Sequence, residues 1–225
     1  MLRAALAVAR KDVTLTLVRG GGLTQALLLG LLLLFLFSLS QEAGERTSPQ
    51  GAAAVFWLAS VFCQVLVFNT LYGLEEVNGA RQGLALLPCP VQAVWIGKAS
   101  AGLALMLPAQ AVFASATLVF LGQDLSGEWQ WALAVLLPAD IGMALLGSLL
   151  GALARGQAAK ESLLSIVLFP LLVPLLLAGI RVGSGFFAGG AVEDAAQWIG
   201  IATAFDALFT AAGLVLFGYI YPGEE

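Results

Sequence analysis

The sequence predicts an all-α membrane protein: six transmembrane helices, an amphipathic interfacial helix before them, and a second short amphipathic helix on the cytoplasmic side. Three observations predict it. The 225-residue chain is 60% hydrophobic and only 11% charged, with a mean hydropathy of +0.95, whereas a soluble domain carries about 25% charged residues. So little charge cannot cover a surface in water, and lipid is the natural solvent for most of the chain. Apolar runs of membrane-crossing length recur at about 23–40, 52–72, 99–121, 129–153, 162–180 and 198–221, separated by short polar stretches. None of the short alternating segments of a β-barrel is present. Inside lipid the backbone must satisfy its own hydrogen bonds, so the runs are helices within a single transmembrane domain over 1–225.

The first element is residues 1–20. Leu2, Leu6, Ala9, Val13, Thr16 and Leu17 recur at helical spacing, with Arg3, Arg10 and Lys11 elsewhere on the wheel. This predicts an amphipathic helix in the membrane interface. Gly20-Gly21-Gly22 makes the corner into the first span, because glycine permits the dihedral angles of a sharp turn. Ser38-Leu39-Ser40 offers a small-x-small site, but the segment before the apolar run is longer than the n-region of a signal peptide, so the run is expected to be retained as a span.

After the second span comes "GLEEVNGARQGLALLPCPVQAVWIGK", residues 73–98. Val77, Ala80, Leu84 and Leu87 recur at helical spacing, and Glu75, Glu76, Asn78, Arg81 and Gln82 fill much of the remainder. A short amphipathic helix over about 75–88, closed by Pro88, is expected along the membrane surface. The fourth span carries Asp140 just after Pro138, and the sixth carries Asp206. Carboxylates at membrane depth are costly and mark candidate functional positions. They are expected to be neutral or paired inside the bundle. An aspartyl dyad is the rival reading, although "LPADIGM" and "TAFDALF" offer no protease-type glycine setting. The fifth span, "SLLSIVLFPLLVPLLLAG", places Pro170 and Pro174 on one face, where each removes a backbone donor, so a helix kink is expected.

Charge orients the bundle. Of the 10 Lys and Arg residues, Arg3, Arg10, Lys11, Arg19, Arg81, Lys98, Arg155 and Lys160 fall on one side, and Arg46 and Arg181 on the other. The positive-inside rule makes the first side cytoplasmic, with both termini there. Trp129, Trp131, Trp198, Tyr219 and Tyr221 lie near span ends, as interfacial aromatics do.

Composition also excludes classes of function. There is no histidine, which removes the commonest transition-metal ligand and the usual general base. Cys63 and Cys89 lie in different segments without CxxC spacing, and neither a disulfide framework nor a metal site is expected. No GxxxxGK[ST] phosphate loop occurs, so no ATP site of that kind is expected in this chain. No basic run announces a nucleic-acid partner.

The stretch containing Glu75, Glu76, Gly79, Leu84, Leu86, Leu87 and Pro88 resembles the coupling segment of ABC-2-type permeases. Within that superfamily the chain is similar to the CcmB family of cytochrome c maturation permeases. "LLPCPVQAVWIGKAS" looks like that family's "LLPLPLxAVVLAK", and "LLSIVLFPLLVPLLLAG" looks like its double-proline signature. Length and six-span layout agree, so the likeness covers nearly the whole chain. Ala80 and Gly83 depart from it, standing where the family tends to have Ser or Thr and Glu.

The resemblance implies a cytoplasmic coupling helix at 75–88 with Glu75, Glu76, Gly79, Arg81, Leu84, Leu87 and Pro88 at an ATPase-coupling interface. It implies an ATP-binding partner subunit, CcmA, the further partners CcmC and CcmD, the haem chaperone CcmE, and a second permease copy, in the bacterial inner membrane. The function implied is export of haem or release of the haem-loaded chaperone, with no catalytic residue, cofactor or metal held by this chain. Without histidine the chain cannot supply the usual axial haem ligand, which favours mechanical coupling over haem ligation. The rival readings are an ABC-2 permease for a lipid or drug, and an intramembrane hydrolase using Asp140 and Asp206.

Overall fold

A computed structural model describes residues 1–19, 21–41, 46–77, 89–124, 129–154, 158–189 and 194–220, without the side chains of residues 19, 76, 77 and 158–167. All regular structure among them is helical: α1 Leu2–Arg19, α2 Gly21–Leu39, α3 Pro49–Val77, α4 Val91–Leu121, α5 Trp129–Leu153, α6 Ala158–Ala188 and α7 Ala195–Ile220. Helices α2 to α7 are long and apolar enough to cross a membrane, so this is an all-α, multi-pass membrane protein. Several helices outrun the apolar runs. The third span begins at Val91 rather than 99, directly after Pro90, whose extended backbone (φ −60°, ψ 135°) is the N-cap. Proline cannot donate to a helix but is well placed at its start. With 31 residues, α4 is about 46 Å long by helical rise, against a hydrocarbon core of about 30 Å.

The bundle is built around α3 and α5, whose spans are 67% and 61% buried, while α2 and α7 are each 17% buried and sit at the periphery. Close approach is made by aromatic side chains lodged against glycines. Phe68 of α3 lies between Gly102 of α4 and Gly147 of α5, where an added Cβ would collide with its ring; Tyr72 covers Gly151 in the same way. Without a hydrophobic drive between helices in lipid, such van der Waals contact at small residues supplies the association.

Helix α1 is present as expected, with a different inward face. Ala5, Val8, Ala9, Asp12 and Thr16 are buried, while Leu2, Leu6 and Leu17 are exposed. The small residues permit close packing on α4: a Cβ on Gly97 would stand 2.7 Å from the Ala5 carbonyl oxygen. The leucines are too bulky for that contact.

Two ends of the bundle are tied differently. At the end away from α1, an exposed Arg46–Asp124 ion pair (3.2 Å), a Gln123 Nε2 donor to the Thr47 carbonyl (2.8 Å) and a Ser38 hydroxyl donor to the Phe120 carbonyl (2.7 Å) join the connections. At the α1 end the ties are buried and ionic.

Candidate functional site: a buried ionic cluster between α1, α3 and α4

The structure carries α3 on to Val77, so Glu75 and Glu76 belong to the last turns of a spanning helix rather than to a separate one. Glu75 does not face solvent: its side chain is buried between α1 and α4. Gly79, Arg81, Leu84, Leu87 and Pro88 lie outside the described residues, as does the side chain of Glu76.

What Glu75 meets is Lys98, a residue that the sequence places before the third span and that the structure places within it. Lys98 lies inside α4 and is fully buried. Its Nζ stands 2.8 Å from Glu75 Oε1 and 3.1 Å from Asp12 Oδ2. It also donates to the Leu71 carbonyl at 3.1 Å and sits 4.5 Å from the centroid of the Tyr72 ring. Lys11 completes the cluster, 3.0 Å from Asp12 Oδ1 and 3.1 Å from Glu75 Oε1. Two ammonium groups and two carboxylates from α1, α3 and α4 thus balance in charge. A buried charge is tolerated only when paired and hydrogen-bonded, and Lys98 has two carboxylates, a carbonyl and an aromatic face. Lys11 lies outside the spans. Its partial burial works to lower its pKa, but the charges and hydrogen bonds of Asp12 and Glu75 prevail and raise it, keeping the ammonium charged at neutral pH.

From this cluster hydrogen bonds lead across the bundle. The Tyr72 hydroxyl donates to the Ser148 carbonyl at 2.6 Å, and the Ser148 hydroxyl donates to the Trp95 carbonyl at 3.0 Å. Trp95 Nε1 donates to the Leu145 carbonyl at 3.3 Å. The Trp95 ring stands against Gly213 and Phe217 of α7. One connected set of contacts thus runs from α1 through α3, α4 and α5 to α7. Such a network can transmit a displacement at the end of α3 to α4, α5 and α7. The sequence offers one sign of it: Lys98 is a charge set among Ile, Gly, Ala and Ser in "IGKASAG".

The remaining sequence candidates are scattered. Pro170 and Pro174 lie within the single continuous helix α6. Both are on its more open side, Pro170 exposed and Pro174 half-buried, alongside Phe169, Val173 and Leu177. Asp140 is fully buried and accepts a hydrogen bond from Gln110 Nε2 at 2.7 Å. Asp206 reaches α5 elsewhere, its Oδ1 lying 2.5 Å from where a Cβ on Gly142 would stand. Positions 140 and 142 are about 200° apart around a helix. The two carboxylates therefore approach α5 from nearly opposite sides, which is not the geometry of carboxyl groups sharing one substrate atom.

A family model described as CcmB protein matches residues 3–218. Comparison with curated proteins finds no match.

Proposed function

The chain belongs to the CcmB family, and on that premise we propose that it is the mechanically driven half of a pump whose motor is a separate ATPase chain. Family membership makes it a membrane permease subunit of the ABC transporter of cytochrome c maturation, working within the Ccm system with an ATPase partner. Our reading of the finer mechanism places the motor, CcmA, on the 75–88 segment at the cytoplasmic face, with CcmC, CcmD and the haem chaperone CcmE as further partners and a second permease copy completing the membrane pore. Nucleotide-driven closure of the motor subunits displaces this segment, and the movement enters the bundle as a rigid-body switch.

The observation that carries this reading is the seat of Glu75. The residue that begins the coupling segment is bonded to Lys98 of α4 and Lys11 of α1. A push on that segment therefore acts on three helices at once. What the pump delivers is haem itself or the release of the haem-loaded chaperone; in either case this chain has no histidine to hold haem iron by the usual ligand, and its role is mechanical.

The test separates assembly from coupling. Glu76→Lys combined with Arg81→Glu, and separately Ala80→Pro, should leave the chain in the membrane while abolishing ATPase-dependent formation of c-type cytochromes and weakening co-purification of the ATPase. Full cytochrome formation in both variants would sink the coupling role of 75–88 without touching the family assignment.

A further inference from the structure

The interior of the bundle holds a second polar site, independent of the ionic cluster. Asp140 of α5 and Gln110 of α4 are 0% and 3% exposed, and the Gln110 Nε2–H donates to Asp140 Oδ1 at 2.7 Å. The other oxygen of each group, Asp140 Oδ2 and Gln110 Oε1, is buried and has no hydrogen-bond partner among the described residues. Both orphans are acceptors. Nearly every buried polar atom in a folded protein is partnered, and an unpaired one at low dielectric is costly.

Neither orphan is relieved by a cation among the described residues. The Lys and Arg side chains described within the spans are engaged or exposed: Lys98 is held by Asp12 and Glu75, and Arg181 is exposed on α6. The titratable groups near the pair are Cys63 of α3, close enough to feel the charge of Asp140, and Asp206, on the far side of α5 at Gly142. Neither brings positive charge.

A single proton resolves both defects. On Asp140 Oδ2 it converts that acceptor into an O–H donor, which can donate to Gln110 Oε1 while the Gln110 N–H continues to donate to Oδ1. Acid and amide then close an eight-membered ring with two hydrogen bonds and no net charge. We infer that Asp140 and Gln110 form a proton-binding site in the membrane interior, where the ligand is one proton held between a carboxylic acid and an amide and the pair pins α4 to α5. No redox partner is needed: the proton adds to a carboxylate, and its loss returns the carboxylate.

The isosteric variant decides the matter. Asp140→Asn carries an amide N–H where the acid would carry O–H, so it keeps both hydrogen bonds without a titratable proton; Asp140→Leu keeps neither. The full chain, in the complex with which it purifies, should show at neutral pH an infrared carbonyl band of a protonated carboxyl group that shifts in heavy water. That band should be lost in Asp140→Asn and kept in Asp206→Asn. Asp140→Asn should unfold at the wild-type temperature, and Asp140→Leu at a lower one. The absence of any protonated-carboxyl band that depends on Asp140 would overturn the proposal. So would a sodium-dependent stability that disappears in Asp140→Asn, since the occupant would then be a metal cation bound to a carboxylate.

Discussion

At the scale of single residues, Lys98 and Asp140 show how differently two buried ionisable side chains can be legible. Asp140 stands alone in an apolar run, and its importance follows from the cost of a carboxylate in lipid. Lys98 stands near a span boundary, where a lysine ordinarily reaches water, and one of its two carboxylate partners, Asp12, is 86 positions away in the chain. No local pattern links them. Charge counting groups Lys98 with the basic residues of the N-terminal segment, and it meets Lys11 in one cluster, but no count reveals that it is an internal strut. The strut has a measurable signature. Removing one partner of a buried ion pair costs about 3–5 kcal/mol because the other is left uncompensated. Lys98→Met should therefore lower the unfolding free energy in detergent by about that amount. Lys98→Met combined with Glu75→Gln should lose less than Lys98→Met alone, because Lys11 and Asp12 then remain as a balanced pair. A double variant worse than the single would show that Glu75 contributes independently of Lys98.

At the scale of helices, the length of the apolar runs identifies six spans and periodicity the helical nature of the N-terminal segment, but not which way α1 turns. A wheel sorts apolar from polar; it does not sort small from large. The protein places Ala5, Val8 and Ala9 inward and leaves Leu2 and Leu6 outward, since packing on Gly97 is limited by size. The same reasoning applies to α3. Its Phe68 is trapped between two glycines, and a Cβ on Gly147 would come 2.5 Å from the Phe68 ring and 2.8 Å from Gln64 Nε2. Overpacking of a filled interior costs about 1–3 kcal/mol, so Gly147→Val should destabilise the chain by at least that much in a thermal unfolding assay. A neutral outcome would mean that α5 can slide away from α3 at little cost. The double-proline span was recognisable from sequence because proline constrains the backbone wherever it falls, but its place on the open side of α6 required the neighbouring helices to be seen.

Across the whole molecule, the two ends differ in kind. The end bearing α1 is held by buried charge and aromatic packing, the other by an exposed ion pair and neutral hydrogen bonds, one of them buried. Exposed ion pairs contribute roughly 0–1 kcal/mol, so exchanging Arg46 and Asp124 for Ala should change stability by less than about 1 kcal/mol, against the several expected at Lys98. Equal losses at both ends would contradict the asymmetry. The architecture of spans was legible because lipid imposes length and hydropathy on each run separately. The cluster was not, because it is assembled from α1, α3 and α4, three elements whose pairing no single run encodes.

The charge balance of Lys11, Asp12, Glu75 and Lys98 has an electrical consequence. A voltage across a membrane does work of about 2.3 kcal/mol per elementary charge per 100 mV on charge that crosses it. A set with two positive and two negative members, moved as one body, carries no net charge along the field. A rigid translation of the four is therefore indifferent to the resting potential, and the cluster itself adds no voltage dependence to such a movement. Only a stroke that separates them would register the voltage.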